Sequence, residues 1–132
     1  MLNEQIRYAI IGCSMKVHNA LGNGFQEVIY QRCLAIELAV AGLNYKREIE
    51  QAIYYNGQKV GLRRVDFVVE NKILVELKAV INLENVHIAQ AKNYTVAYNF
   101  ENALLINFGA ISLQYKLIFN SRYANPENPQ IN

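Results

Sequence analysis

The chain contains one aspartate, Asp66, which lies in an apolar segment ten residues before the acid of the triplet Glu76-Leu77-Lys78. Val, Phe, Leu and Ile alternate with these charged residues, a pattern that predicts two β-strands. A turn at residues 70–72 would join the strands as an antiparallel hairpin and place Asp66 directly opposite Glu76. Two acids and a lysine on one strand face could bind a divalent metal ion and activate a water.

The hydrophobic pattern of this hairpin selects its register. Pairing through the turn places Phe67 opposite Val75 and Val65 opposite Leu77, which makes one face of the hairpin wholly apolar. A slip of one residue would bring Glu76 onto that face, and strand pairing with a buried face strongly disfavours such a slip. The register that brings the two acids together is therefore the predicted one.

Opposed carboxylates on neighbouring strands have β-carbons about 5 Å apart, and like charges so placed are destabilising unless a cation or a proton intervenes. Mg²⁺ binds one or two carboxylates together with waters and phosphate oxygens, so Asp66 and Glu76 predict a Mg²⁺ or Mn²⁺ site. Lys78 would lie on the same face and orient a water or a phosphate oxygen. The alternative is a solvated strand face on which Lys78 only offsets the two acids.

Composition limits the possible classes of protein. A chain of 132 residues with 52% hydrophobic and 18% charged residues predicts one globular domain, residues 1–119, followed by a flexible polar tail, residues 120–132. No apolar run approaches the roughly 18 residues of a membrane span, the N-terminus does not resemble a signal peptide, and Cys13 and Cys33 read as reduced thiols, which together favour the cytoplasm. A net charge of +2 does not by itself predict a nucleic-acid-binding protein.

The order of the predicted elements mixes helices with strands. Asn56-Gly57 is a strong signal for a two-residue hairpin turn. The third strand is the second half of the Asp66 to Lys78 hairpin. In chain order, helices are predicted near residues 3–21 and 26–41, strands near 45–55 and 58–69, then the third strand, a helix near 83–98, and strands near 103–107 and 113–119.

With this order, an acid in the second strand and Glu-x-Lys in the third, residues 5–119 resemble the PD-(D/E)xK nuclease superfamily. The resemblance implies an α/β restriction-endonuclease-like fold: an αβββαβ core with a mixed central sheet, an extra N-terminal helix and a C-terminal strand. More narrowly, the chain resembles a small bacterial family named for a Gly-x-x-Glu-x-x-x-Arg motif. The segments that carry this match are residues 17–30, 75–80, 86–90 and 106–109.

The resemblance implies roles for particular residues in a metal-dependent nuclease. Asp66 corresponds to the motif aspartate, and Glu76 and Lys78 to the (D/E)xK pair. The carbonyl of Leu77 and the helix acid Glu27 would complete the set of Mg²⁺ or Mn²⁺ ligands. Gln90 and Tyr94 match a Gln-x-x-x-Tyr helix motif that contacts substrate, here DNA more readily than RNA. The superfamily also implies a possible homodimer.

Some residues depart from the family pattern or have a simpler explanation. Gln31 occupies the position of the motif arginine, and Val65 stands where the superfamily motif has proline. Glu27 could be only an acid that favours a helix N-terminus, and Tyr94 only a core aromatic residue. The alternatives to a nuclease are therefore an inactive module of the same fold that binds nucleic acid or a partner protein, and a purely structural subunit.

Overall fold

The computed structural model describes residues 2–124, which form three helices and five strands. The predicted strand bounds are reproduced to within one residue, and the third helix begins two residues later than predicted. The elements are α1 (Asn3–Leu21), α2 (Glu27–Val40), β1 (Tyr45–Tyr55), β2 (Gln58–Val69), β3 (Ile73–Lys78), α3 (Asn85–Tyr98), β4 (Asn102–Asn107) and β5 (Gln114–Phe119).

The five strands form one mixed sheet in the order β1-β2-β3-β4-β5. Strands β3 and β4 are parallel, and the other neighbouring pairs are antiparallel. A parallel connection needs a crossover, and α3 supplies it. The predicted α/β fold class, with a mixed central sheet, an N-terminal helix and a C-terminal strand, is confirmed.

The sheet separates two apolar cores. Helices α1 and α2 pack on one face, where Tyr30 and Leu34 contact alternate sheet residues such as Leu104. Helix α3 packs on the other face, where Ala91 meets residues such as Leu105. Because both faces are covered, the central strands β3 and β4 are buried almost throughout, as is usual for parallel strands.

The β2–β3 hairpin has the predicted register over part of its length. Val69 pairs with Ile73 and Phe67 with Val75, and the ladder ends at that second pair. Val65 then packs in the α3 core, whereas Phe67 packs in the core of α1 and α2. The prediction that both residues share one apolar face is therefore wrong for Val65.

The change of face occurs at Asp66, at a level of the sheet where the neighbouring strand is also irregular. Glu48 of β1 adopts a φ of +52°, which is left-handed backbone and rare for a residue other than glycine. Arg47 pairs with Phe67, and the ladder resumes at Ile49 with Val65. Strict alternation is thus interrupted on both strands at one level of the sheet, and that level carries Asp66.

The loops after β3 and β4 are held together by the buried side chain of Asn107. Its Oδ1 accepts hydrogen bonds from the N–H groups of Val80 and Gly109, each at 3.0 Å. Its Nδ2 donates to the carbonyl of Val80 and to Oε1 of Gln114, each at 2.9 Å. The loop that follows Lys78 is therefore fixed to the end of β4.

Gly109 is required by the close approach of these two loops. A β-carbon at Gly109 would overlap the main-chain N and O of Val80, whereas Gly12, exposed on α1, has nothing within 4 Å of its β-carbon position. We expect Gly109→Ala to lower the free energy of unfolding by roughly 2 kcal/mol or more, because main chain must move. Gly12→Ala, the matched control, should raise it by up to about 1 kcal/mol through helix propensity.

Urea denaturation of the two glycine variants measures both effects. Equal stability of Gly109→Ala and the wild type would contradict the close packing of the loops.

The C-terminal part of the described chain continues past β5. Asn120 is buried, and its Nδ2 donates to the carbonyls of Thr95 and Phe100. Of the predicted polar tail, residues 125–132 lie outside the described residues, so the tail and the 1–119 domain boundary stay predictions. Within residues 2–124, no helix combines the length and the apolar character needed to cross a membrane.

Candidate active site

Asp66 and Glu76 converge where the β2–β3 ladder ends. Oε1 of Glu76 accepts a hydrogen bond from the main-chain N–H of Asp66 at 2.9 Å. Oδ2 of Asp66 accepts one from the main-chain N–H of Leu77 at 2.7 Å. Each carboxylate therefore bonds the main chain of the opposite strand, taking the place of ladder bonds. The predicted proximity of the two acids is present, with side chains rather than main chain closing the gap between the strands.

A second bond to Asp66 comes from helix α2. Nε2 of Gln31, which is 6% exposed, donates to Oδ1 of Asp66 at 3.1 Å. Nη2 of Arg47 in turn donates to Oε1 of Gln31 at 3.1 Å, and the Arg47 guanidinium lies 5.8 Å from the centroid of the Phe67 ring. Both oxygens of the Asp66 carboxylate are thus held by neighbouring donors.

A cavity of about 210 Å³ opens beside the aspartate, enough for several waters. Glu27, at the first position of α2, contributes an acid to its wall. Val28, in the first turn of α2, is 38% exposed and lines this cavity. The full lining is Glu27, Val28, Gln31, Glu48, Arg64 and Asp66.

Lys78 lies at the end of β3, within reach of helix α3. Its Nζ donates to Oε1 of Gln90 at 3.0 Å. Its positive charge lowers the pKa values of Glu27, Asp66 and Glu76. Lys78 therefore acts on all three acids through its charge.

Tyr94 lies one helical turn from Gln90, and its surroundings include both aromatic and charged side chains. Its ring packs edge-on against Tyr98, with centroids 6.3 Å apart, beside the α3 core. Burial raises the pKa of the Tyr94 hydroxyl and the charges of Glu76 and Asp66 raise it further, whereas the charge of Arg63 and a hydrogen bond with the main chain of Arg64 lower it. Tyr94 is thus a partly buried residue beside the α3 core whose hydroxyl lies within the electrostatic influence of the acids.

The carboxylates of the site are crowded and shielded from water. Burial raises the pKa of Glu76 to about 8, and the nearby Asp66 carboxylate adds to this effect. Burial also raises the pKa of Asp66, although the Leu77 N–H, Lys78 and Arg64 act in the opposite direction. Without a cation, the site therefore retains a proton at neutral pH.

The raised pKa values predict how stability depends on pH. Between the ordinary glutamate pKa and about 8, folded Glu76 binds a proton that the unfolded chain has lost, so stability falls as pH rises through this window. We expect metal-free protein to lose on the order of a few kcal/mol from this group between about pH 5 and about pH 8.5. Raised pKa values of Asp66 and Glu27 act in the same direction.

Urea denaturation at a series of pH values, with a chelator present, measures the pH effect. Glu76→Gln, which cannot ionise, should flatten the profile. A wild-type protein whose stability rises with pH over the same range would show that Glu76 is ionised in the metal-free fold.

The side chains of the site provide oxygen ligands for a hard cation, but too few to surround it. Asp66 and Glu76 offer oxygen ligands, and their crowding is the condition that a divalent cation relieves. Within residues 2–124, no three His, Cys, Asp or Glu side chains are grouped closely enough to hold a metal ion by themselves. The residues therefore fit Mg²⁺ held by two carboxylates and waters, and they do not form an all-protein cage.

Comparison with known proteins identifies the class of this fold and site. The profile of the PD-(D/E)XK nuclease superfamily matches residues 4–118, so the chain belongs to that superfamily. The crystal structure of SSO0001 is similar, with a TM-score of 0.56 and 19% sequence identity over 70% of this chain. This chain spans 49% of the length of SSO0001, and at this identity the likeness shows the fold alone. A search of curated proteins gives no match.

Several residues of the site were missed by sequence reasoning. The motif count marks Gln31 as a departure, but no sequence signal shows that its side chain bonds Asp66. No sequence signal connects Arg47 with Gln31, and none indicates the left-handed φ of Glu48 or its place in the cavity wall.

Proposed function

We propose that the chain is a nuclease that hydrolyses phosphodiester bonds of nucleic acid with the help of Mg²⁺ or Mn²⁺. One observation carries the proposal: half-buried Asp66 and buried Glu76 bond each other's strands, Asp66 lines a cavity, and the charge of Lys78 acts on both acids. Superfamily membership agrees with a nucleic-acid substrate. We also propose that the chain belongs to the small bacterial group named for the Gly-x-x-Glu-x-x-x-Arg motif, with Gln31 at the arginine position.

In this proposal Asp66 and Glu76 would be the principal ligands of the cation, with the carbonyl of Leu77. Glu27, which is not grouped closely enough with the two strand acids to form a three-acid cage, would contact the cation through a bound water. A bound Mg²⁺ would polarise the scissile phosphate and lower the pKa of an attacking water. Waters and phosphate oxygens would take the remaining coordination positions, as is usual for Mg²⁺.

The other residues act on the water and on the substrate. Lys78 orients the attacking water and offsets negative charge that develops on the phosphate. Gln90 fixes the Lys78 ammonium group through the bond at 3.0 Å. Gln90 and Tyr94, one helical turn apart on α3, would steady the nucleic acid, for which DNA is favoured over RNA.

A cleavage panel tests the proposal. Purified protein is incubated with single-stranded, double-stranded and branched DNA and RNA, with Mg²⁺, with Mn²⁺ and with a chelator, and Glu76→Gln serves as the blank. We expect cleavage of at least one substrate that requires the metal and is lost in the blank. If no substrate is cut while wild type and Glu76→Gln bind nucleic acid equally, the chain is an inactive binding module.

A further inference from the structure

Gln31 lies between the candidate site and a cation on β1. Its amide is buried and bonded at both ends, to Arg47 through Oε1 and to Asp66 through Nε2. A guanidinium has donors only, so the amide oxygen must face Arg47. The amide nitrogen is thereby directed at Asp66, because the flipped amide would set donor against donor at Arg47.

Arg47 is itself held in place. It pairs with Phe67 in the β1–β2 ladder, and its guanidinium lies over the Phe67 ring. Phe67 is fully buried and directly follows Asp66 in the chain. The three residues Arg47, Gln31 and Asp66 are thus connected in a short chain whose two ends are anchored on neighbouring strands.

The effect of this chain falls on the Asp66 carboxylate. Gln31 holds Oδ1 and the Leu77 N–H holds Oδ2, so the plane of the carboxylate is fixed at both oxygens. Each carboxylate oxygen has about two acceptor sites, so one on each oxygen stays available to a cation. A guanidinium bonded directly to Asp66 would compete with that cation, whereas the neutral amide of Gln31 keeps the positive charge one residue away.

We propose that Gln31 and Arg47 are a positioning pair for Asp66: Arg47 sets the orientation of the Gln31 amide, and Gln31 holds the carboxylate in the orientation that binds the metal. This inference rests on the proposed function, since it assigns the pair to the same site. Residues that orient a metal ligand from outside typically change metal affinity by about 10- to 100-fold when removed.

Metal binding measured by calorimetry provides a readout that is independent of cleavage. Gln31→Met removes both bonds, Arg47→Met removes only the bond between Arg47 and Gln31, and each variant keeps an unbranched side chain. We expect each variant to weaken Mn²⁺ binding about 10-fold and to raise the half-saturating metal concentration for cleavage by the same factor. Cleavage at saturating metal should recover most of the wild-type rate, because the pair acts through Asp66 and not on the reacting atoms.

The double variant distinguishes coupled action of Arg47 through Gln31 from independent effects of the two residues on Asp66. If Arg47 acts through Gln31, then Arg47→Met adds nothing in a Gln31→Met background. Arg64→Met is the matched control, because Arg64 lines the same cavity and lowers the pKa of Asp66 through its charge. Its effect should add fully to that of Gln31→Met.

Two outcomes overturn the inference alone, and a third overturns the proposed function together with it. Unchanged Mn²⁺ affinity of Gln31→Met, or additive effects of Gln31→Met and Arg47→Met, would remove the positioning role while wild type still binds metal and cleaves. Wild type that neither binds Mn²⁺ nor cleaves would sink both proposals. Arg47 is exposed, so Arg47→Met is expected to fold. If Gln31→Met does not fold, the Mn²⁺ affinity of Arg47→Met tests the positioning role instead.

Discussion

Glu76→Gln is expected to abolish metal binding and to lower metal-dependent cleavage by on the order of 10³-fold, while the protein stays folded. The buried glutamate is the most strongly perturbed acid of the site, with a pKa of about 8. Replacing it with an amide removes a negative ligand and keeps the side-chain shape. The amide oxygen can still accept the hydrogen bond from the Asp66 N–H.

Loss of function in this variant should be accompanied by a gain in stability. In the metal-free wild type above about pH 8, Glu76 is ionised next to Asp66 in a site shielded from water, and this combination is costly. Glu76→Gln relieves it, so the melting temperature at that pH should equal or exceed that of the wild type. A residue kept for function at the expense of stability shows this behaviour.

Calorimetry with Mn²⁺, the cleavage assay and thermal denaturation provide the three measurements for Glu76→Gln. Glu101→Gln is the matched control, because Glu101 is exposed immediately before β4 and its main-chain oxygen, not its side chain, accepts the hydrogen bond from the N–H of Asn120. The control should leave metal binding and cleavage unchanged. Retained Mn²⁺ binding by Glu76→Gln would remove the glutamate from the ligand set.

The convergence of the two acids was predictable because burial penalises a shift of register. The strand residues 67–69 and 73–75 obey the period-two pattern, and the observed pairs are those that the pattern selects. Val65 does not follow the pattern, because the face of the strand changes at Asp66. That change coincides with the left-handed φ of Glu48 on the neighbouring strand, and the sequence of neither strand predicts it.

The role of Gln31 shows where sequence reasoning stops. Counting along the motif places Gln31 at the arginine position, and helical geometry shows that the adjacent Arg32 cannot replace it. In the structure, a guanidinium from a different element, that of Arg47 on β1, donates a hydrogen bond to the Gln31 side chain. A contact between a helix and a strand sixteen residues apart depends on how the two elements pack, which local spacing does not encode.

Lys78→Met is the second large effect, and it should separate metal binding from chemistry. Methionine retains most of the apolar stem and loses the ammonium group that bonds Gln90. Under the proposed mechanism, cleavage at saturating metal should fall by roughly 10²- to 10³-fold, since one group that stabilises transition-state charge is removed. Metal binding should persist, because the ammonium group is not a ligand.

The pH of the measurement matters for Lys78→Met. Lys78 lowers the pKa values of Asp66, Glu76 and Glu27, so its removal makes the acids hold their protons more tightly. Mn²⁺ must displace those protons, and affinity near neutral pH should therefore fall modestly. At about pH 9 or above, where the acids are largely ionised, the difference from the wild type should shrink.

The comparison of Lys78→Met with Lys116→Met, an exposed lysine on β5, tests whether the effect is specific to the site. The control should bind Mn²⁺ and cleave as the wild type does. Loss of both Mn²⁺ binding and cleavage in Lys78→Met at high pH would make the lysine a structural partner of the acids. Full activity of Lys78→Met would instead show that another group orients the attacking water. The role of Lys78 would then be limited to balancing the charge of the acids.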